Sequence, residues 1–253
     1  MALESIQFID NRRVTFGDVA LREAARSDNA YFATAYVKAS GLSQFLDSFE
    51  RIISNGGTAE IIFGLDFRIS EPAAIAMMLR FYRQHPEFGC YAFSDPRADD
   101  TPSFHPKLYI LEQPQDAFTL LVGSSNLTQG GLTENEEANV AITGKRPDAL
   151  FEEVMSTYRR YKSTRHLFLP DEEYIEQYAE LHRRVRDTTG DRPVDRVAPD
   201  LARKMRQHEE SLARELRTQK GLIVEALREL PPDEDGYVHL QSIYEHVERR
   251  ARG

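Results

Sequence analysis

Apolar residues switch between two periods along the first two thirds of the chain, and the switching predicts alternating strands and helices. The run Ala30 to Val37 is apolar enough for a buried strand, whereas Phe45, Leu46, Phe49, Ile52 and Ile53 recur at helical spacing within Ser43 to Ile53. Asn55-Gly56-Gly57 then stops that helix. Ala59 to Leu65 forms the next apolar run, Pro72 to Gln84 a helix with proline in its first turn, and Phe88 to Phe93 a further strand. Phe104 to Leu111, Phe118 to Val122 and Ala138 to Thr143 add three more strands. Such alternation predicts an α/β fold with a mixed β-sheet flanked by helices, and ligands at the strand ends.

Beyond this core the period becomes helical. Pro147 to Tyr161 and Glu172 to Arg186 are predicted helices. Tyr158 and Tyr161 interleave with Arg159, Arg160, Lys162 and Arg165, a pattern that fits either a strip tracking a nucleic-acid backbone or an amphipathic helix with a charged face. Thr188-Thr189-Gly190-Asp191-Arg192-Pro193 has the composition of a linker. After it, Leu201, Met205, Leu212, Leu216, Ile223 and Leu227 mark a long helix with a narrow apolar stripe, able to dock on the body or pair across a dimer. Pro231-Pro232-Asp233-Glu234-Asp235-Gly236 ends that helix, and Tyr237 to Arg250 has the pattern of a short strand and an amphipathic helix, as at the start of a winged-helix module. The organisation expected is a catalytic domain over 1–165, a helical C-terminal extension over 166–230, and a truncated module over 231–253, so that the chain would be a piece of a longer protein.

Composition narrows the class. With 253 residues, 41% of them hydrophobic, the chain can bury a sizeable core. Its one cysteine, Cys90, excludes an internal disulfide and sits in the apolar run Phe88 to Phe93, where a buried thiol is expected. No apolar run approaches the roughly 20 residues of a membrane span, so a cytoplasmic protein without a membrane partner is expected. Histidines and cysteines show no metal-ligand spacing, and neither metal nor cofactor is expected. The net charge of −9 opposes nucleic-acid binding, yet residues 181–220 hold eleven Lys or Arg against seven Asp or Glu. Any such binding would be local.

The chemistry-bearing residues lie close together in the chain: His105-Pro106-Lys107, then Gly123-Ser124-Ser125-Asn126. A neutral imidazole can attack phosphorus and form a covalent intermediate, splitting one hard step into two. On a strand, Lys107 would share a face with His105 and reach the phosphoryl oxygens. Ser124 and Asn126 add uncharged donors in a turn expected to open a helix, whose N-terminus favours an anion. The catalytic set expected is therefore His105, Lys107 and Asn126, with Lys107, Ser124 and Asn126 holding phosphate.

These motifs resemble the phospholipase D superfamily, whose signature is His-x-Lys, a spacer, and Gly-Ser-x-Asn. Phe104-His105-Pro106-Lys107-Leu108-Tyr109, Gly123 to Leu132 and Asn135-Glu136-Glu137 are similar to its nuclease branch, which includes metal-independent restriction endonucleases and nuclease domains fused to helicases. The resemblance implies a phospholipase D-like fold over residues 1 to 165 and a phosphohistidine mechanism. It also implies that Glu137, with Glu136 as the alternative, is the carboxylate supporting His105. Lipase members carry Asp five residues after the Lys, where this chain has Glu112, which favours a nuclease over a lipase. No other histidine here is followed by Lys two residues on. In-line displacement needs a general acid opposite the nucleophile, so a homodimer is expected, with the two His105 side chains meeting at the two-fold axis. The activity expected is cleavage of DNA, in restriction or phage defence. The alternative is a catalytically silent nucleic-acid binding or dimerisation module that works with a helicase or DNA-recognition domain.

Overall fold

The computed structural model describes residues 3–66, 69–94, 102–187, 199–232 and 237–251. The linker at 188–193, most of the polar loop before His105 and residues 233–236 of the Pro-rich stop lie outside them. Eight strands form one sheet in the order β1-β7-β6-β5-β2-β3-β4-β8. They are β1 (Leu3–Ile9), β2 (Asn29–Thr34), β3 (Ala59–Gly64), β4 (Gly89–Phe93), β5 (Lys107–Glu112), β6 (Ala117–Gly123), β7 (Asn139–Lys145) and β8 (Leu167–Phe168). Strands β2, β3 and β4 run parallel, and every other pairing is antiparallel. Parallel neighbours need crossovers, which here are helical.

The crossovers match the periodicity. Between β2 and β3 the chain forms α2 (Ala39–Leu42), a short 3₁₀ turn and α3 (Leu46–Ser54). Between β3 and β4 lies α4 (Pro72–Gln84), with the bounds the apolar spacing predicts. An N-terminal helix, α1 (Phe16–Ala24), is started by a capping box in which Thr15 and Asp18 satisfy each other's backbone N–H groups. One face of the sheet packs on α1, α3 and α4 through Phe16, Phe32, Phe45, Phe49 and Tyr109. The other packs on α5 (Ala149–Lys162) through Leu108, Ile110, Phe118, Leu120, Phe151 and Met155.

The C-terminal helices are α6 (Glu172–Asp187), α7 (Pro199–Glu229) and α8 (Leu240–Ala251). Phe168, Tyr174, Tyr178, Ala202, Met205 and Ala213 belong to the same core cluster as α1 and α3, so the helical extension is packed into the body. The apolar stripe of α7 docks through Met205, while its distal members Ile223 and Leu227 are exposed.

Several expectations are corrected. His105 precedes β5 rather than lying on it, because the strand begins at Lys107. No helix opens at Asn126. Leu127 bridges Val37 in extended form, and only a five-residue π turn, Gly130–Glu134, follows. Residues 237–239 hold no strand. Tyr158 is buried and donates to Glu60 Oε2 at 3.2 Å, with Lys162 Nζ 2.6 Å from Glu60 Oε1. Those two side chains are therefore structural, and α5 is an amphipathic helix with Arg159 and Arg160 on its exposed face. Cys90 is buried, as expected, and burial pushes its thiol up to about 12.

Candidate active site

The register of the sheet brings the two motifs to one edge. Lys107 pairs with Thr34 at the end of β2, and Val122, one residue before the end of β6, pairs with Leu108. Gly123 in turn pairs with Asn139, the first residue of β7. The carboxyl ends of β2, β3, β4 and β6 and the start of β5 thus share one edge.

His105 and Lys107 meet without the help of strand periodicity. The Lys107 ammonium lies 2.7 Å from His105 Nδ1 and 3.1 Å from the His105 carbonyl oxygen. The other ring nitrogen, Nε2, lies 3.2 Å from the Tyr36 hydroxyl. A lysine ammonium can only donate, so the neutral tautomer satisfying both contacts accepts at Nδ1 and donates from Nε2 to the Tyr36 oxygen. Burial holds the Lys107 pKa below the ordinary lysine value, and the nearby Glu137 carboxylate opposes that shift.

Asn126 is fixed from the same residue. The Tyr36 backbone N–H donates to Asn126 Oδ1 at 3.1 Å, with the Thr34 hydroxyl 3.5 Å from that oxygen. Its carbonyl so engaged, the amide leaves Nδ2 as a donor. The intervening turn is pinned by buried Asn139, which accepts from the Ser125 N–H at 3.1 Å and donates to the Ser125 hydroxyl at 2.9 Å. Gly123 is required here, since a Cβ would stand 2.4 Å from both the Ala138 oxygen and Asn139 Oδ1.

Ser124 and Glu137 form a separate pair: the Ser124 hydroxyl donates to Glu137 Oε2 and accepts from the Ala138 N–H at 2.9 Å. The other Glu137 oxygen accepts from Asn135 at 3.2 Å, and Glu136 forms an ion pair with Arg12 at 2.9 Å. Among the described residues neither carboxylate bonds to the His105 ring. Glu112 is buried and paired with Arg146 at 2.7 Å, away from the site's polar groups.

Two residues that sequence reasoning missed complete the edge. One is Tyr36, which touches both motifs. The other is Asp66, fully buried just beyond β3, whose Oδ2 accepts from the Phe104 N–H at 3.1 Å and from the Ser103 hydroxyl. Phe104 is further stacked on Phe93 with ring centroids 4.6 Å apart. Asp66 therefore anchors the segment carrying His105.

A family model described as cardiolipin synthase, PLD-like domain, matches residues 20–161. The chain belongs to this phospholipase D-like family. Its helix-flanked eight-stranded sheet is a phospholipase D-like fold, and α6, α7 and α8 lie outside the matched segment. Among solved structures, NUC of Salmonella typhimurium, a phospholipase D family member, is 18% identical over 62% of this chain and 92% of its own, with a TM-score of 0.46. NucT from Helicobacter pylori is 11% identical over 62% of this chain and 93% of its own, with a TM-score of 0.45. The phosphatidylserine synthase of Haemophilus influenzae Rd KW20 is 14% identical over 72% of this chain and 45% of its own, with a TM-score of 0.49. No curated protein matches the chain.

Proposed function

We propose that this phospholipase D-like chain is a metal-independent phosphodiesterase that cleaves DNA through a phosphohistidine, as an endonuclease of the restriction or phage-defence kind. The observation that carries the reading is the meeting of His105, Lys107 and Asn126 around Tyr36 at the sheet edge. An arriving diester anion is a stronger acceptor than the imidazole for the Lys107 ammonium, and its oxygens would draw that donor away from the ring. A ring nitrogen then carries a free lone pair facing phosphorus. Lys107, Asn126 Nδ2 and, if its bond to Glu137 yields, the Ser124 hydroxyl stabilise the charge that develops on the phosphoryl oxygens. Glu137 serves this set by holding Ser124 and balancing Lys107. Its support of His105 would act through those neighbours.

Attack forms the N–P bond and breaks the P–O bond to the leaving nucleoside, whose alkoxide takes a proton from a general acid on the far side. Water then attacks phosphorus, the N–P bond breaks, and the same acid, now a base, takes the water proton. The acid we assign to His105 of a second copy. On the face packed by α5, the row Phe8, Val140, Val122 continues past Leu108 beside the site. Ile6 and Phe8 are each 67% exposed, and Val122 is 42% exposed. An apolar face of this kind suits an isologous contact that would bring two half-sites together.

The test is cleavage of plasmid and single-stranded DNA in excess EDTA by the native chain and by His105→Ala at matched concentration. Cutting that survives EDTA and is lost with His105 is expected. Cutting by the variant, or cutting abolished by EDTA, would overturn the mechanism. If neither protein cuts any phosphodiester, the chain is a binding module.

A further inference from the structure

A concentration of positive charge lies outside the family-matched segment, yet on the same sheet edge as His105. A cleft of about 500 Å³ is lined by Arg203, Arg206, Arg214 and Arg217 of α7 on one side and by Ser94, Arg165 and His166 on the other. The α7 arginines recur at spacings of three, eight and three residues, so they share one helix face. From Arg203 to Arg217 that face runs for about 21 Å at the α-helical rise.

The opposite wall is fixed to the sheet. Ser94 follows β4, and its N–H and hydroxyl donate to the His166 carbonyl at 3.0 and 3.1 Å. The register runs directly from this wall to the site: Lys107 pairs with Thr34, Thr34 with Phe63, Phe63 with Ala92, and Ala92 with Phe168. Three strand spacings separate Lys107 from Ala92, or about 14 Å. The cleft therefore opens on the same edge as His105.

Among the described residues that line it, five arginines stand against two carboxylates, Glu209 and Glu210, so the lining is net positive; Glu209 is buried and accepts from the Tyr174 hydroxyl at 2.7 Å. Arg203 has an ion pair with Asp200 at 3.5 Å, both side chains well exposed, a contact worth little in water. Burial and the neighbouring Arg165 hold the His166 pKa below its ordinary value, so that ring adds no charge at neutral pH. In a chain of net charge −9 such a stripe has to attract a polyanion locally.

We infer that the α7 arginine cleft is a second nucleic-acid contact, holding the DNA backbone about 14 Å or more away from the scissile phosphate and aligning the strand with His105. This rests on the phosphodiesterase reading above. The face of α7 would span roughly six phosphates of one strand at their spacing along B-DNA. Planar guanidinium groups suit such contacts, since each can donate two parallel bonds to phosphate oxygens.

The experiment compares Arg203→Gln/Arg214→Gln/Arg217→Gln with the charge-conserving Arg203→Lys/Arg214→Lys/Arg217→Lys. Binding of a labelled 30-base-pair duplex is titrated against salt in a His105→Ala background. Loss of three phosphate contacts lowers the slope of log K on log salt by roughly two to three. The lysine variant should keep the native slope. With His105 present, the glutamine variant should raise KM for DNA at least tenfold, with kcat unchanged and hydrolysis of bis(p-nitrophenyl) phosphate unaltered. An unchanged slope and KM in a folded glutamine variant would overturn the inference, as would lost binding to phosphatidylglycerol vesicles with DNA binding intact. If no diester is hydrolysed while the slope still falls, the cleft stands and the catalytic reading fails.

Discussion

The Tyr36 hydroxyl lies 3.2 Å from His105 Nε2, across 69 residues of chain. The same residue's backbone N–H holds Asn126, so Tyr36 sets the spacing between the proposed nucleophile, His105, and the proposed phosphate donor, Asn126. Tyr36→Phe removes only the phenolic contact. A neutral hydrogen bond contributes about 1 kcal/mol, so kcat should fall roughly fivefold while the Kd for DNA stays unchanged. Steady-state kinetics with a separate binding titration check both parts.

Lys107 is expected to set the alkaline limit of the proposed reaction. Burial depresses its pKa, so the ammonium is lost below the ~10.4 of an ordinary lysine, and kcat/KM should fall there. Once a diester anion is bound, the charge is stabilised and the limb seen in kcat should lie higher. Stability moves the opposite way. Between the depressed and ordinary values the unfolded chain holds the extra proton, so folding gains as pH rises through that window. Rate profiles and urea melts across pH 7 to 11 report the two effects.

Asp66→Ala should weaken both fold and catalysis. Its removal takes the acceptor from the buried Phe104 N–H, a loss of about 1–3 kcal/mol. Thermal melting should drop by several degrees, and His105, one residue on, should lose activity beyond what the melting explains. Activity measured 20 °C below the variant's Tm separates the two.

A shared site has a quadratic signature. If both His105 side chains are needed, mixing equal amounts of native and His105→Ala chains and allowing exchange should leave about a quarter of full activity per total dimer. Independent sites would leave about half. Phe8→Glu should convert the dimer to monomer by light scattering, with cleavage lost and melting nearly unchanged, because Phe8 is exposed in the single chain.

The sheet and its helical crossovers were legible because they depend on periodicity, and His105, Lys107 and Asn126 stood out as candidates because of their short spacing. α4 lies where its apolar period puts it. β1 was not legible, because Ile6 and Phe8 are exposed and the strand is held by pairing with β7 rather than by a buried face. The turn after Asn126 gave a helix signal that Leu127 overrides by bridging Val37. Tyr36 and Asp66 act across long separations, and nothing local marks them among other tyrosines and aspartates. Glu137 was visible as a nearby carboxylate, but its bond to Ser124 depends on how β6 meets β7.

Asn126 accepts from a residue 90 positions earlier, and Ser125 is held by Asn139 from the strand after it. A ribosome that has delivered every motif residue has therefore still not delivered what pins the turn, because Asn139 comes two positions after Glu137 and holds Ser125 where β7 pairs with β6. If the chain cuts DNA as proposed, the half-site is expected to form only with that pairing, and not with the motifs alone.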